Sequence, residues 1–402
     1  MTLSPVLKAN LAKHGFVQPT PVQAESIPGA LAGRDIVATA QTGTGKTLAF
    51  VIPMLERLAN KRPGTIEAVV LSPTRELAMQ IEAAFSALAA GTKIHAATVV
   101  GGVNEHSQLK AIRNGAQVLI ATPGRLSDFL NRKLVKLGGV SLLVLDEADR
   151  MLDMGFLPAI QSLTAAMPAA RQNLLFSATL EASVKHLIER YSNNPIRVEI
   201  GSPTKPAEDV DLHVYEVEQE RKLGLLQRML KEENGSYLVF TRTKHGAGRL
   251  AKKLSASGFK ATCIHGDRTQ NQRSQALKSF QQGDHRVLVA TDVAARGIHV
   301  EGIGHVVNYD IPRAPEDFIH RVGRTGRLGA RGTASTFATR SERGEILKIE
   351  RALRIQLTRR EVPVEVPSES RHPANVVVLP VADRKRSKTY SFKPGFRRRA
   401  GR

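Results

Sequence analysis

Residues 40–47, Ala40-Gln41-Thr42-Gly43-Thr44-Gly45-Lys46-Thr47, place two glycines, a lysine and a hydroxyl between an apolar run at 36–39 and a helix-forming stretch. This is the spacing of a phosphate-binding loop, with Ala40 standing in for the usual first glycine. Such a loop is a tight turn whose backbone amides point at phosphate oxygens from a helix N-terminus. Gly43 and Gly45 permit the close approach, Lys46 brings a point charge to the β- and γ-phosphates, and Thr47 offers a hydroxyl to Mg²⁺. Taken alone, the segment also reads as a glycine-rich turn with an incidental lysine.

Two further clusters carry chemistry. Asp146-Glu147-Ala148-Asp149 follows the apolar run 142–145. In open α/β sheets ligands bind at that end of a strand. Asp146 is placed to hold Mg²⁺, partly through water, and Glu147 to polarise an attacking water; an acidic helix start is the plainer alternative. His320-Arg321-Val322-Gly323-Arg324-Thr325-Gly326-Arg327 presents arginines three apart around glycine. Arg324 and Arg327 fit arginine fingers acting across a domain interface. A solvated basic helix start or a plain RNA-contact patch would use the same residues.

The elements that must position these groups alternate. Short β-rich runs at 36–39, 68–71, 96–100, 117–121, 142–145 and 173–176 are interleaved with helical stretches such as 76–89 and 180–191. That rhythm predicts a mostly parallel sheet flanked by helices. It breaks at Gly201-Ser202-Pro203-Thr204-Lys205-Pro206, read as a linker spanning 201–208. A second run of strands follows at 237–240, 261–264, 286–290, 305–308 and 334–337, and it fades after 363. The reading is therefore two α/β domains, 1–200 and 209–363, and a basic, disordered tail over 364–402. No repeated motif relates the halves.

Composition narrows the partners. The 402 residues carry a formal charge of +21, which points to a polyanion, foremost nucleic acid. Residues 371–402 alone hold ten basic residues and one acid. Tryptophan is absent and aromatics make up 4%, which disfavours base-stacking platforms and favours a grip on the backbone. The single cysteine, Cys263, excludes a disulfide framework and a thiolate zinc site, suits a reducing cytoplasm and reads as a buried filler. The histidines lack metal-ligand spacing, no apolar run is long enough to span a bilayer, and no membrane partner is expected.

Taken together, and in this order, the segments closely resemble the motifs of the DEAD-box RNA helicases of superfamily 2, from residue 3 to about 363. Gly15-Phe16-Val17-Gln18-Pro19-Thr20-Pro21-Val22-Gln23 is similar to the Q motif, which implies that Gln23 reads adenine, with Phe16 and Gln18 beside it. Pro73-Thr74-Arg75-Glu76-Leu77, Gly101-Gly102 and Thr122-Pro123-Gly124-Arg125 are similar to the first domain's RNA-backbone motifs. Ser177-Ala178-Thr179 resembles the motif that couples hydrolysis to unwinding. In the second half, Thr241-Arg242, His265-Gly266-Asp267 with Gln270 and Arg273, and Thr291-Asp292 through Arg296-Gly297 resemble RNA and nucleotide contacts. The resemblance implies two tandem RecA-like domains that close on ATP, Mg²⁺ and RNA, with His320, Arg324 and Arg327 completing the site. A short core with a basic tail is most similar to the bacterial RhlE-like group. The implied activity is RNA-stimulated ATP hydrolysis coupled to local unwinding or RNP remodelling. An ATP-gated RNA clamp or scaffold is the alternative, and a DNA translocase is disfavoured by the Q motif.

Two departures stand out. The family's aromatic upstream of the Q motif falls before Met1, read here as a start placed too late, with weaker ATP binding as the alternative. After Arg296-Gly297-Ile298, His299 replaces the family's usual ribose-contacting Asp. Neutral imidazole can still accept a hydrogen bond; the sharper expectation is a closure that weakens as His299 protonates. The tail is expected to tether RNA in a salt-sensitive way or to meet ribosomal precursors and RNA-decay proteins.

Overall fold

The six apolar runs of the first half all form strands, because each lies within one parallel sheet covered by helices on both faces. The computed structural model describes residues 3–40, 43–59, 61, 64–179, 182–200, 209–295, 302–326 and 331–368. The first half contributes β1 (Ile36–Ala40), β2 (Ala68–Leu71), β3 (Ala96–Val99), β4 (Val118–Ala121), β5 (Leu142–Leu145), β6 (Gln172–Ser177) and β7 (Ile196–Ile200). They lie in the order β3-β4-β2-β5-β6-β1-β7, all pairs parallel. Helices Pro21–Leu31, Lys46–Leu58 and Arg75–Ala89 pack on one face, and Pro123–Asn131, Leu157–Ala165 and Ala182–Tyr191 on the other. Arg75–Ala89 starts where Thr74 Oγ1 caps it, accepting from the Leu77 amide at 3.3 Å.

The second half contributes β8 (Val210–Glu216), β9 (Tyr237–Phe240), β10 (Ala261–Ile264), β11 (Val287–Ala290), β12 (His305–Asn308), β13 (Gly332–Ala338) and β14 (Thr358–Arg360). Their order is β10-β11-β9-β12-β13-β8-β14, again all parallel. Strand for strand this is the order of the first sheet, so the halves share a topology that no repeated motif betrays. Packed chain continues past 363: Val366 lies in the core, and Arg221 donates to the carbonyls of Pro363, Val364 and Val366. Cys263 is buried, which raises its thiol above the ordinary value and agrees with a packing role.

Three strands escaped the sequence reading. β7 has a single buried residue among five, β8 mixes buried with exposed positions, and β14 is exposed throughout. The interdomain segment 201–208 and the tail 369–402 lie outside the described residues. Among those described, no helix is long and apolar enough to cross a membrane.

In a parallel sheet all strands end on one edge. The loops after β1, β2, β4, β5 and β6 therefore converge, and so do those after β9, β10 and β11. The core behind that edge is dense, with the Phe50 and Phe176 rings both fully buried at a centroid distance of 5.4 Å. Phe176→Ala should cost the first domain about 3–5 kcal/mol, read as a lowered urea midpoint for one of two unfolding transitions.

Candidate nucleotide site and nucleic-acid groove

The phosphate loop opens directly from β1. Gly43 and Gly45 have φ of 92° and 89°, and Gly45 caps the helix Lys46–Leu58. A Cβ on Gly45 would collide with Gln23 Nε2, so glycine is required by conformation and by space. Two side chains brace the loop from outside. Thr20 Oγ1 donates to the Thr44 carbonyl at 2.7 Å, and Gln23 Nε2 donates to the Gly45 carbonyl at 2.9 Å. Gln23 Oε1 accepts from the Thr20 amide at 3.1 Å, so the residue expected to read adenine has both ends of its amide engaged as a buttress. Phe16 and Gln18 stand exposed beside it. Lys46 is buried, with Nζ donating to the Ala40 carbonyl at 2.8 Å. Gln41 and Thr42 lie outside the described residues.

The acidic cluster sits at the end of β5. Burial pushes the Asp146 carboxyl up to about 7, against the pull of the Lys46 ammonium and with the repulsion of Glu147. Glu147 adopts the left-handed region (φ 52°) and is buried. Its Oε2 lies 3.1 Å from Arg150 Nη1, in a pair that is almost fully buried. Asp149 reaches sideways to the loop after β6. Its Oδ2 accepts from the Ala178 amide at 2.9 Å, the Thr179 amide at 3.0 Å and the Thr179 hydroxyl at 3.3 Å. Ser177 Oγ donates to the Thr179 carbonyl at 2.8 Å, closing that loop on itself.

Thr47 and Asp146 offer hard oxygen donors of the kind Mg²⁺ prefers. No group of three or more His, Cys, Asp or Glu fit to hold a metal occurs among the described residues. A site with few protein oxygens suits Mg²⁺, which keeps waters and takes substrate phosphates as further ligands.

The arginine motif faces this edge from the second domain. A small cavity is walled by Arg150 of the first domain and by Phe240, Asp292, Ala295, Asp317, His320, Arg321 and Arg324 of the second. Arg324 is buried, with Nε donating to the His320 carbonyl at 3.2 Å. Arg321 is a scaffold: it grips Asp292 with two bonds of 2.5 and 2.8 Å, donates to Asn308 and the Asp310 carbonyl, and lies over the Phe240 ring. Asp292, expected to touch RNA, thus has its carboxylate committed to Arg321. Arg327, Gly297 and His299 lie outside the described residues.

The first-domain motifs expected to hold RNA backbone form a groove of about 590 Å³. It brings together Pro73, Thr74, Arg75, Gly101, Thr122, Gly124 and Arg125, with Arg273 entering from the second domain. Pro123 begins the helix beside it. Arg75 folds against Gly101 and Gly102, where a Cβ on Gly102 would run into its Nη1. Burial, and then the Arg273 cation, hold the Arg75 guanidinium below its ordinary value. Arg125 is braced by Glu105 and Asp128, each at 2.9 Å, and lies over the Phe129 ring. Thr241, Arg242, His265, Gly266 and Thr291 sit at the ends of β9, β10 and β11 and do not line this groove. Arg242 donates its amide to Asp310, and Thr241 is buried.

Sequence reasoning assigned no role to Glu76, Asp149 or Arg150. Glu76 is buried and accepts from Gln270 Nε2 at 3.1 Å and pairs with Arg273 at 2.9 Å, joining the two domains beside the groove. The only signal was position: Glu76 and Asp149 stand inside motifs, and Arg150 follows one.

The raised Asp146 pKa has a defined sign. The folded carboxyl holds its proton to about pH 7 whereas its ordinary value is 3.8, so its stabilising contribution is complete in acid and disappears as pH climbs through about 7. In magnesium-free buffer, Asp146→Asn should remove that fall in stability with pH, read from urea midpoints. Each tenfold difference in proton affinity between the folded and unfolded carboxyl corresponds to ~1.4 kcal/mol. Asp149→Ala, which strips three donors of their acceptor, should destabilise the first domain by about 2–3 kcal/mol in the same assay.

Comparison with known proteins agrees with this arrangement. Residues 20–187 match the family described as DEAD/DEAH box helicase, and residues 221–329 match the helicase conserved C-terminal domain. The chain is 42% identical over 325 residues to the DEAD-box ATP-dependent RNA helicase CshA of Streptococcus pneumoniae, covering 81% of this chain and 62% of that protein. Against CshA of Bacillus licheniformis it is 40% identical over 362 residues, covering 90% and 74%. The RhlE-like grouping rests on the sequence alone. Among solved structures, S. cerevisiae Dbp5 bound to RNA and ADP BeF3 aligns with a TM-score of 0.80 at 31% identity, covering 89% of this chain and 94% of that one. Mss116p bound to ssRNA and AMP-PNP aligns with a TM-score of 0.82 at 29% identity, covering 90% and 78%. With both halves matched and the two sheets in tandem RecA-like form, this chain belongs to the DEAD-box helicase family.

Proposed function

We propose that the chain is an ATP-dependent RNA helicase, which hydrolyses ATP on RNA and opens short duplexes or remodels RNP by closing its two domains. The observation that carries this reading is the shared cavity, where Arg150 of the first domain meets His320, Arg321 and Arg324 of the second. Nucleotide chemistry on one domain and arginines on the other make the complete site a property of the closed pair.

In this reading Gly43, Thr44, Gly45 and Lys46 cradle the phosphates, with Ala40, Gln41 and Thr42 assigned to the same nucleotide site. Gln23 keeps the loop in register with the base site formed near Phe16 and Gln18, and Gly297 and His299 approach the ribose. Thr47 and Asp146 hold Mg²⁺, which would neutralise phosphate charge. Glu147 orients and polarises the attacking water, and Arg150 keeps its carboxylate in place. Arg324 and Arg327 stabilise charge on the transferred phosphoryl group.

RNA lies along the first-domain groove and reaches the ends of β9, β10 and β11, held through phosphates and sugars. Because Arg273 contributes to that groove and to the Glu76 contact, RNA binding and closure favour one another. Asp149 mechanically links the acidic cluster to Ser177-Ala178-Thr179, a route from hydrolysis to unwinding. The tail over 369–402, past the described residues 364–368, adds a sequence-independent tether for RNA or its protein partners.

Steady-state ATPase with and without single-stranded RNA tests this reading. RNA should stimulate turnover of the unaltered chain. Glu147→Gln should lower kcat by roughly 10²–10⁴, and Arg324→Ala or Arg327→Ala by about 10³ or more. Turnover indifferent to RNA would defeat it, and RNA-stimulated hydrolysis without strand displacement would favour the clamp.

A further inference from the structure

The opposite edge of the first sheet, where the strands begin, holds a polar cleft of about 970 Å³ that none of the motifs accounts for. Its walls are the turns before β1 and β6, the end of the helix Lys46–Leu58, and the segment between the helix Ala182–Tyr191 and β7. Four arginines line it, Arg34, Arg57, Arg171 and Arg190, against one acid, Asp35.

Asp35 is spent on the backbone. It is buried, Oδ1 accepts from the Asn173 amide at 2.8 Å, and Oδ2 accepts from the Asn193 amide at 2.8 Å. Among the described residues the arginines' hydrogen-bond partners are neutral, although the Asp35 charge also acts on Arg171. Arg34 donates to the Asn194 carbonyl at 2.8 Å, Arg57 to Gln172 Oε1 at 2.9 Å, and Arg171 to the Pro168 carbonyl at 2.8 Å. Arg190 lies over the Tyr191 ring at 5.6 Å. Among the described residues none of the four is paired with a carboxylate. Four helices end at this cleft, Pro21–Leu31, Lys46–Leu58, Leu157–Ala165 and Ala182–Tyr191, each bringing roughly half a negative charge. Four guanidiniums against one carboxylate exceed that, so the cleft keeps a positive surplus. Arg34, Arg57 and Arg190 are exposed and retain N–H groups to offer.

We propose that this cleft is a second RNA-backbone site, which takes phosphates of an RNA extending beyond the front groove. The proposal rests on the RNA reading above and adds a contact surface to it. Guanidiniums suit phosphate oxygens, and the side-chain amides of Asn193 and Asn194 on the same rim suit phosphates and sugar hydroxyls. An acidic peptide is the poorer fit, because the lining is mostly polar or small, with Met167 and Tyr191 its only large apolar side chains to hold a peptide's anchors. The six residues of β6 separate the two edges by about 20 Å. A short strand in the front groove therefore does not reach the cleft, whereas a long or partly duplex RNA can wrap to it.

The test compares the full chain with the triple variant R34Q/R57Q/R190Q, which keeps the more buried Arg171. A short fluorescent single strand probes the front groove, and a long, partly duplex RNA probes both. For the long RNA, the slope of log affinity against log salt should become shallower by about 2–3, close to one per phosphate contact removed. The short strand should bind both proteins equally, and its saturating ATPase stimulation should be unchanged. Equal salt slopes on the long RNA would overturn the proposal. So would polyglutamate binding that the triple variant loses, since that assigns the cleft to an acidic protein. Failure of both proteins to bind the short strand would instead overturn the RNA reading itself.

Discussion

A buried carboxylate facing a buried ammonium is the constraint on which the first domain turns. Asp146 and Lys46 both sit inside the protein, at the strand-end edge of the first sheet. Taking charges out of water is costly unless geometry and further bonds compensate. Here the compensation from protein is thin: Asp146 accepts the Glu147 amide, and Lys46 donates to the Ala40 carbonyl. The Asp146 carboxyl accordingly rises to about 7. In the proposed reading, a ligand that brings cation and phosphate together would supply the missing compensation. The braces on the loop, from Thr20 and Gln23, keep its shape ready for that arrival.

The second domain supplies the opposite arrangement. It repeats the strand order of the first, yet carries arginines after β12 where the first carries acids after its counterpart β5. Arg321 spends its guanidinium on Asp292, Asn308 and Asp310, so it fixes the loops after β11 and β12 rather than meeting substrate. That leaves Arg324 and Arg327 as the proposed fingers of the motif. One topology thus serves two roles because function resides in the loops at the strand ends, not in the sheet.

Much of this was legible in the sequence, for a physical reason. Strands buried on both faces read as unbroken apolar runs, and β1, β2, β4, β5, β9 and β11 are buried at every position. Glycines needing positive φ announced the phosphate loop. What stayed hidden depends on long-range geometry. Edge strands β7 and β14 carry charges and look like loops. A buried arginine such as Arg150 is indistinguishable from a surface one until its cover is known. The two ends of the Gln23 amide could have faced a base, and only the fold turns one of them to Gly45.

The same geometry explains why hydrolysis and RNA binding would be coupled without a dedicated relay. Glu76 sits one residue from Arg75 in the groove and joins Gln270 and Arg273 across the cleft. Arg150 sits three residues from Glu147 and looks into the second domain's arginines. Both contacts straddle the same interface, so separating the domains would loosen both at once. A ligand that favours either contact favours the closed pair, and through it the other. Coupling then needs no path of its own, only a boundary that two sites share.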